Sequence, residues 1–284
     1  MRVRAFAKIN RSLRVLGTRA DGYHELRTIF QSLALHDTLT IRATRGAFTL
    51  TCDDPACPVD DTNLIARAAM AMWHAAGRRG APVGVAIDLN KRIPMQAGLG
   101  GGSSDAAAAL RALAKRWRVA DEKVRRAAVA LGADVPYFFE GGAVLGLDRG
   151  DLLFPLVDPP AAWVVLVLPD FGVSTKDAFG WFDRSPDTAA PHLAVAAACQ
   201  AREMVNDLEG PVIARHPEIG RIIAALGRAG ASQAAMSGSG SAVFGLFSSR
   251  SAAIQAQKRL ASTSRRVIAT RTLGRKTYQR LAAT

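Results

Sequence analysis

A run of glycine and serine, GLGGGSS at residues 98–104, stands directly before the alanine-rich stretch DAAAAL. Glycine is costly to order, so four glycines between Gly98 and Gly102 indicate that the backbone must approach another group closely. The stretch after them predicts a helix over residues 103–117. The first turn of a helix carries unpaired N–H groups and partial positive charge. The run therefore predicts an anion site at a helix N-terminus.

The glycine run differs from the two best-known nucleotide loops. It lacks the lysine of GxxxxGK[ST], and no acidic residue follows at the distance that the dinucleotide fingerprint requires. A glycine-rich hairpin before a capped helix is the alternative that the residues leave open. Ser103 and Ser104 could cap the helix, bind phosphate or help to hold a metal ion. Asp105, in the first turn, could interact favourably with the helix dipole, or it could face Mg²⁺ or a nucleobase.

Length and proline content predict two domains. A chain of 284 residues with 49% hydrophobic residues can bury two cores. Composition changes near residues 148–162, where DRGDLLFPLVDPPAAW carries Pro155, Pro159 and Pro160. We therefore divide the chain into an N-terminal domain, residues 1–152, and a C-terminal domain, residues 153–284.

The net charge of +13 admits two classes of partner. Nucleic acid is one, and a polyanionic small molecule is the other. Basic residues are spread along the chain and aromatic residues make up only 6%, so the second class is favoured and we expect no nucleic-acid partner.

The chain also carries the pattern of a cytoplasmic protein without a membrane partner. Its longest apolar runs, such as AAWVVLVLP at residues 161–169, are too short to span a bilayer, and Met1 is not followed by a signal-peptide core. Cys52, Cys57 and Cys199 fit free thiols in a reducing compartment. We expect a monomer or a weak homodimer.

Hydrophobic periodicity gives a coarse order of elements. Strands are predicted at VRAFAKIN, SLRVLG, LRTIFQSLAL, DTLTIRA, AFTLTC and VGVAIDLNKRIP in the first half. Helices are predicted at LIARAAMAMWHAAG, over residues 103–117 and over residues 121–131. The second half opens on the strand WVVLVLP, continues through alanine-rich helices and reaches a second glycine run, MSGSGSAVFGLF, between two strand-like pieces. A helix near residues 249–261 and a strand near residues 266–271 follow.

Three motifs in order resemble those of the GHMP kinases, the superfamily of galactokinase, homoserine kinase, mevalonate kinase and phosphomevalonate kinase. AFAKIN is similar to the first motif, PMQAGLGGGSSDAAAAL to the central phosphate loop and MSGSGSAVFGLF to the third. The resemblance implies an α+β fold of two domains, the first like domain 2 of ribosomal protein S5 and the second ferredoxin-like, with ATP and Mg²⁺ in the cleft between them.

Further stretches resemble one branch of the family, which phosphorylates a cytidine-diphosphate sugar alcohol on the non-mevalonate route to isoprenoid precursors. These are RADGYHEL, DTNL and LGADVPYFF, and the resemblance runs from about residue 4 to about residue 247. It implies Asp134 as the catalytic base and Lys8 as its charged partner. For the phosphates and the adenosine of ATP it implies Pro94, Met95, Gln96, Ala97, Gly98, Leu99, Gly100, Gly101, Gly102, Ser103, Ser104, Asn63, Leu64, Lys91 and Asp105. For the second substrate it implies Asn10, Tyr23, His24, Phe179, Gly238, Ser239 and Gly240.

The chemistry is consistent with these residue types. Phosphoryl transfer needs positioning and charge neutralisation, and a carboxylate near the attacking hydroxyl can take its proton. A neighbouring ammonium keeps that carboxylate ionised. From the residues alone, however, Asp134 could cap a turn, Lys8 could lie on a solvated strand edge and Phe179 could be a core residue.

Some features depart from the family pattern. Arg11 follows Asn10 where the family has an apolar residue, and LDRGDLLF at residues 147–154 is a loose version of the family's segment. A homoserine or mevalonate kinase, and a basic nucleic-acid-binding protein, remain as alternatives.

Overall fold

The computed structural model describes residues 1–185 and 205–283. In the first half, β1 spans Arg2–Thr18, β2 His24–Ala47, β3 Thr49–Cys52, β4 Val83–Asn90, β5 Ala143–Leu147 and β6 Leu152–Pro155. Among the described residues these strands form one six-stranded sheet in the order β3-β4-β2-β5-β6, with β1 paired to β2. All the pairs are antiparallel except β3 with β4.

Helices cover this first sheet. They are α1 Leu64–Ala75, α2 Gly101–Trp117, α3 Asp121–Leu131 and the single turn α4 Tyr137–Glu140. Helix α2 packs against β1 and β2 and against both α1 and α3. Its alanines at residues 106–109 are fully or almost fully buried. Small side chains there let the helix lie close to its neighbours, which explains the alanine-rich sequence.

The second sheet is built from the other half of the chain. Its strands are β7 Trp163–Pro169, β8 Gln233–Met236, β9 Val243–Phe247 and β10 Arg265–Arg271. Within the described ranges they pair antiparallel in the order β10-β7-β9-β8. The accompanying helices are α5 Thr175–Asp183, α6 Glu209–Arg215, α7 Pro217–Arg228, α8 Arg250–Leu260 and α9 Arg275–Ala282. Helices α7 and α8 pack on the second sheet, whereas α9 returns to pack on β1.

A shared core joins the two sheets. Ile9 and Leu33 of the first sheet lie in the same buried cluster as Leu166 and Phe244 of the second. Leu99, from the glycine run, is buried in that cluster as well. The glycine run is therefore anchored between the sheets by Leu99, while its glycines line a cleft.

Two predicted strand breaks are wrong. VRAFAKIN and SLRVLG are parts of the continuous β1, and LRTIFQSLAL and DTLTIRA are parts of β2. The register of β1 on β2 shifts between Asn10 and Ser12, so Arg11 is the extra residue of a β-bulge. A bulge reverses the inside–outside alternation, and this reversal imitates the end of a strand in the sequence.

Several other elements agree with the sequence pattern. Helix α3 and strand β7 begin and end as predicted, and α8 and β10 do so within one residue. Cys52 and Cys57 are free thiols as expected. Cys199 and residues 186–204, part of the stretch predicted as alanine-rich helices, lie outside the described residues.

The chain passes from the first sheet to the second between Pro155 and Trp163. The predicted division at residue 152 falls at the start of β6, a strand of the first sheet. The division into residues 1–152 and 153–284 stays a prediction. Within residues 1–185 and 205–283, no helix combines the length and the apolar character that crossing a membrane requires.

Candidate active site

A cleft of about 1250 Å³ opens between the two sheets. Every residue that the sequence singled out for ATP, substrate or catalysis lines it, except Ser104. Ser104 is 1% exposed and sits in the first turn of α2, behind the cleft surface. The fold thus brings residues of AFAKIN, of the two glycine runs and of the GYHEL segment to one cavity.

The glycines of the central run serve close packing within the protein. Gly98 has a φ of +71°, and a Cβ there would collide with the carbonyl oxygen of Ser237. A Cβ at Gly100 would lie 2.8 Å from the ring of Phe138 and 3.0 Å from Cγ of Lys8. At these two positions only glycine fits both the left-handed backbone and the space. The close approach inferred from the sequence is therefore in part an approach to neighbouring segments of this chain.

Helix α2 begins at Gly101, two residues before the predicted start. Its N-cap is Gly100 in the left-handed conformation, and no side chain caps the helix. The N–H of Ser104 donates to the carbonyl of Gly100 at 2.9 Å, while those of residues 101–103 have no acceptor within the helix. Neither serine caps the helix, and the hydroxyl oxygen of Ser104 is buried without a hydrogen-bond partner among the described residues.

Lys8 and Asp134 meet on the floor of the cleft. The Nζ of Lys8 lies 3.2 Å from Oδ2 of Asp134 and donates to Oδ1 of Asn10 at 2.6 Å. Asn10 in turn donates from Nδ2 to the hydroxyl of Thr28 at 2.7 Å. The side chain of Lys8 is 5% exposed and that of Asp134 is 36% exposed. The network fixes the ammonium group and leaves the carboxylate open to a solute.

The second glycine run closes the cleft from the other sheet. The hydroxyl of Ser237 donates to the carbonyl of Gly98 at 3.0 Å and accepts from the N–H of Asn10 at 3.3 Å. The loop that follows, residues 238–240, lines the cleft. The hydroxyls of Ser239 and Thr175 lie 3.2 Å apart. This contact connects the loop to the start of α5.

Three charged side chains form a buried cluster beside the glycine run. The Nζ of Lys91 lies between Oδ2 of Asp37 and Oδ2 of Asp105, the latter at 2.8 Å. Burial raises the pKa of Asp105 well above its ordinary value, and this rise is opposed by the charge of Lys91. Burial acts to lower the pKa of Lys91, but the two carboxylates outweigh it and raise that pKa. Asp37 also accepts hydrogen bonds from the N–H groups of Arg92 and Ile93.

Two of the residues predicted to contact the adenosine, Lys91 and Asp105, are paired within this cluster. Lys91 and Asp105 line the cleft, yet their charges are engaged with each other and with Asp37. Asn63 likewise caps α1, its Oδ1 accepting from the N–H of Ile65 at 2.8 Å. Leu64, the first residue of α1, lines the same end of the cleft. The role of these four residues at the adenosine stays a prediction.

His24, Phe179 and Tyr23 form an aromatic wall of the same cleft. His24 and Phe179 stack with ring centroids 4.5 Å apart and an interplanar angle of 21°. The Nε2 of His24 lies 2.7 Å from Oδ1 of Asp183. Tyr23 is 60% exposed, and the guanidinium of Arg149 lies 5.5 Å from its ring centroid. A planar, partly apolar ligand can stack at this wall.

Sequence reasoning missed three contributors to the site. Asp37 lies in the run LALHDTLT, where a carboxylate among strand residues was the available signal. Arg149 lies in LDRGDLLF, and Asp183 follows Phe179 by one helical turn. No local pattern predicts their contacts in the cleft, because Lys91, Tyr23 and His24 come from distant parts of the chain.

The described residues contain no group of three His, Cys, Asp or Glu that could hold a metal ion by itself. The hydroxyl of Ser103 and the partly exposed carboxylate of Asp134 line the cleft, whereas the unpartnered hydroxyl of Ser104 lies behind its surface. Mg²⁺ usually binds through one or two protein oxygens when substrate phosphates complete its shell. The site therefore fits a magnesium ion that arrives with a nucleotide.

Comparison with known proteins identifies the class. The family model "GHMP kinases N terminal domain" matches residues 63–142, and "GHMP kinases C terminal" matches residues 193–265. The mevalonate kinase of Methanococcus jannaschii superposes with a TM-score of 0.73 over 96% of this chain and 98% of its own, at 14% identity, which shows a common fold. The chain has the α+β GHMP kinase fold, as the motifs predict, and it is an ATP-dependent kinase.

The relatives narrow the family further. A protein of Solibacter usitatus (strain Ellin6076), named 4-diphosphocytidyl-2-C-methyl-D-erythritol kinase, is 44% identical over 89% of this chain and 83% of its own. One of that name from Moorella thermoacetica is 41% identical over 95% and 98%. The crystal structure of a 4-(cytidine 5'-diphospho)-2C-methyl-D-erythritol kinase superposes with a TM-score of 0.82 at 36% identity, over 96% of this chain and all of that one. This chain belongs to the 4-diphosphocytidyl-2-C-methyl-D-erythritol kinase family.

Proposed function

We propose that this kinase transfers the γ-phosphoryl group of ATP to the 2-hydroxyl of 4-diphosphocytidyl-2-C-methyl-D-erythritol, in the non-mevalonate route to isoprenoid precursors. The names of the relatives support the substrate. The observation that carries the chemistry is the Lys8–Asp134 pair, 3.2 Å apart in the cleft that the glycine run and the aromatic wall also line. A donor at one end and an acceptor at the other would meet at this pair.

Asp134 is the proposed general base. Its carboxylate is open to the cleft, so the attacking hydroxyl can reach it and pass its proton to it as the new P–O bond forms. The proton comes to rest on the carboxyl group of Asp134, and the ADP oxygen leaves with the bond electrons. Lys8 is paired with this carboxylate and would stabilise negative charge on the transferred group.

The glycine run is proposed to bind the phosphates of ATP. The N–H groups of Gly101, Gly102 and Ser103 lack acceptors within α2, and the helix dipole adds positive charge at that point. The remaining members of the predicted loop, residues 94–100, form the wall beside them. Ser103, which lines the cleft, would help to hold Mg²⁺, which when bound neutralises phosphate charge.

The aromatic wall is proposed to bind the cytidine. Tyr23 and Phe179 offer faces for stacking, and His24 offers a ring nitrogen for a hydrogen bond. Gly238, Ser239 and Gly240 would flank the diphosphate, and Asn10 would position the sugar alcohol beside Asp134. Arg149 lines the same region, with its guanidinium paired to Asp151 at 2.7 Å.

The adenosine would lie at the end of the cleft that Asn63, Leu64, Lys91 and Asp105 line. There the buried cluster would shape the pocket rather than bind through free charges, since Lys91 is already paired. We also propose that the enzyme is cytoplasmic, acts without nucleic-acid or membrane partners, and is a monomer or weak homodimer. Sparse cysteines and the spread of basic residues support this proposal.

An ADP-release assay tests the function. The chain is incubated with ATP, Mg²⁺ and one of four alcohols: the cytidine-diphosphate methylerythritol, homoserine, mevalonate or galactose. We expect turnover with the cytidine compound alone. Turnover with another alcohol would agree with kinase activity but would overturn the proposed cytidine pocket.

A further inference from the structure

Helix α5 holds the imidazole of His24 from two directions. Phe179 and Asp183 lie one helical turn apart, so their side chains project from the same face of α5. Phe179 covers the plane of the ring and Asp183 meets its edge, at Nε2. The side chain of His24 is 12% exposed, whereas that of Asp183 is 49% exposed. The ring is therefore fixed in orientation although it lines an open cleft.

The contact at Nε2 determines what the other ring nitrogen can do. A carboxylate only accepts hydrogen bonds, so Nε2 must donate to Asp183. In the neutral ring the second nitrogen, Nδ1, is then an acceptor. No described residue hydrogen-bonds with Nδ1, which leaves this acceptor for a ligand in the cleft.

We propose that Asp183 is a positioning residue that fixes the tautomer of His24 in which Nδ1 accepts, and that it thereby selects cytosine over uracil. The inference rests on the proposed cytidine pocket. Cytosine presents an amino donor at position 4, whereas uracil presents a carbonyl acceptor there. Nδ1 can accept a hydrogen bond from the amino group of cytosine. Facing uracil, Nδ1 and the carbonyl oxygen are both acceptors, so neither forms a hydrogen bond.

The kinetic test compares the cytidine substrate with its uridine analogue. The wild-type enzyme should favour the cytidine compound in kcat/KM by at least ~10-fold, the cost of leaving such a pair unmade. In D183N the amide can either accept or donate, so the tautomer is no longer fixed and the preference should fall toward unity. D183E keeps an acceptor at the helix end and should keep most of the preference. An equal loss on both substrates in D183N would indicate a structural role and overturn the proposal.

D177N is the matched control. Asp177 lies on the same helix and loses the same charge, but its carboxylate accepts from the hydroxyl of Ser174 at 2.7 Å and does not contact His24. D177N should therefore keep the wild-type ratio of the two substrates. A fall in that ratio equal to the fall in D183N would show that the charge of α5, and not the His24 contact, sets the preference.

A spectroscopic test reads the tautomer without turnover. Two-bond ¹H–¹⁵N correlations at pH 8, with His24 assigned by comparison with H24Q, should show the proton on Nε2 in the wild type and a mixture in D183N. A proton on Nδ1 in the wild type would overturn the proposal. If the wild-type enzyme does not turn over the cytidine compound, the proposed function fails separately. In that case the affinities for CDP and UDP, measured by calorimetry, test the present proposal. Tighter binding of CDP would support it, and equal affinities would overturn it.

Discussion

Nζ of Lys8 and Oδ2 of Asp134 lie 3.2 Å apart, although one belongs to the first strand of the chain and the other to the turn after α3. Lys8 is also held by Asn10, which Thr28 holds in turn. The ammonium thus contacts two side chains, and one of these, Asn10, is itself held by a third. The carboxylate is fixed by one and remains 36% exposed. This asymmetry suits a pair in which Asp134 exchanges a proton and Lys8 does not.

Replacing Asp134 by asparagine should cut kcat at least ~10²-fold, because the amide cannot take the proton of the attacking hydroxyl. ATP affinity and the midpoint of thermal unfolding should change little, since the side chain is partly exposed. Steady-state ADP release and nucleotide binding measure the two effects. The control is Asp121→Asn, an exposed first-turn residue of α3. Near-normal turnover in the Asp134 variant would remove it from the base role.

Replacing Tyr23 by alanine should raise the KM for the cytidine substrate ~10-fold and leave the KM for ATP nearly unchanged, because stacking of a base on an aromatic ring contributes ~1–3 kcal/mol. Tyr23 is 60% exposed, so the stability of the fold should not change. Tyr23→Phe keeps the aromatic face and should behave as the wild type. Equal increases in both KM values would argue against a cytosine platform.

Gly98→Ala should destabilise the fold by at least ~2 kcal/mol, since it combines a left-handed backbone with a collision at the carbonyl of Ser237. Gly102→Ala is the matched change. Its Cβ would lie 3.7 Å from Leu64, so the free energy of unfolding should stay the same or rise by up to ~1 kcal/mol. Urea denaturation measures both variants. Equal stabilities would show that the first glycine is not required for packing.

Lys91→Met should lower the free energy of unfolding by ~3–5 kcal/mol at pH 8, because it leaves Asp37 and Asp105 buried without their cation. The pKa of Asp105 in the fold is raised by burial, and losing Lys91 raises it further. A raised carboxyl pKa means that the ionised form costs stability at high pH and that protonation relieves this cost as the pH falls. The difference between variant and wild type should therefore be smaller at pH 5 than at pH 8.

The double variant K91M/D105N tests the cause of that loss. It removes the cation together with one of the two carboxylates, so it should recover much of the stability and lose most of the difference between pH 5 and pH 8. Urea denaturation at both pH values measures it. A double variant as unstable as K91M at pH 8 would assign the loss to packing rather than charge.

The sequence by itself determined the local elements and the chemistry available to them. The continuous apolar run WVVLVLP indicated the buried strand β7, and Leu131-Gly132 marked the end of α3. The three motifs in order pointed to a GHMP kinase, and their residues line one cleft. Strand continuity across the bulge at Arg11 was not predictable, since a bulge and a strand end look alike in the pattern of side chains.

Only the tertiary structure decided which groups pair. Lys91 with Asp37, His24 with Asp183 and Gly98 with Ser237 join segments far apart in the chain, and no local pattern encodes such a pairing. The glycine run illustrates the difference. Its sequence predicted that the backbone approaches another group closely, and in the fold two of its glycines approach other segments of this chain. Side-chain periodicity depends on neighbours in sequence, whereas the energies of burial and charge pairing depend on neighbours in space.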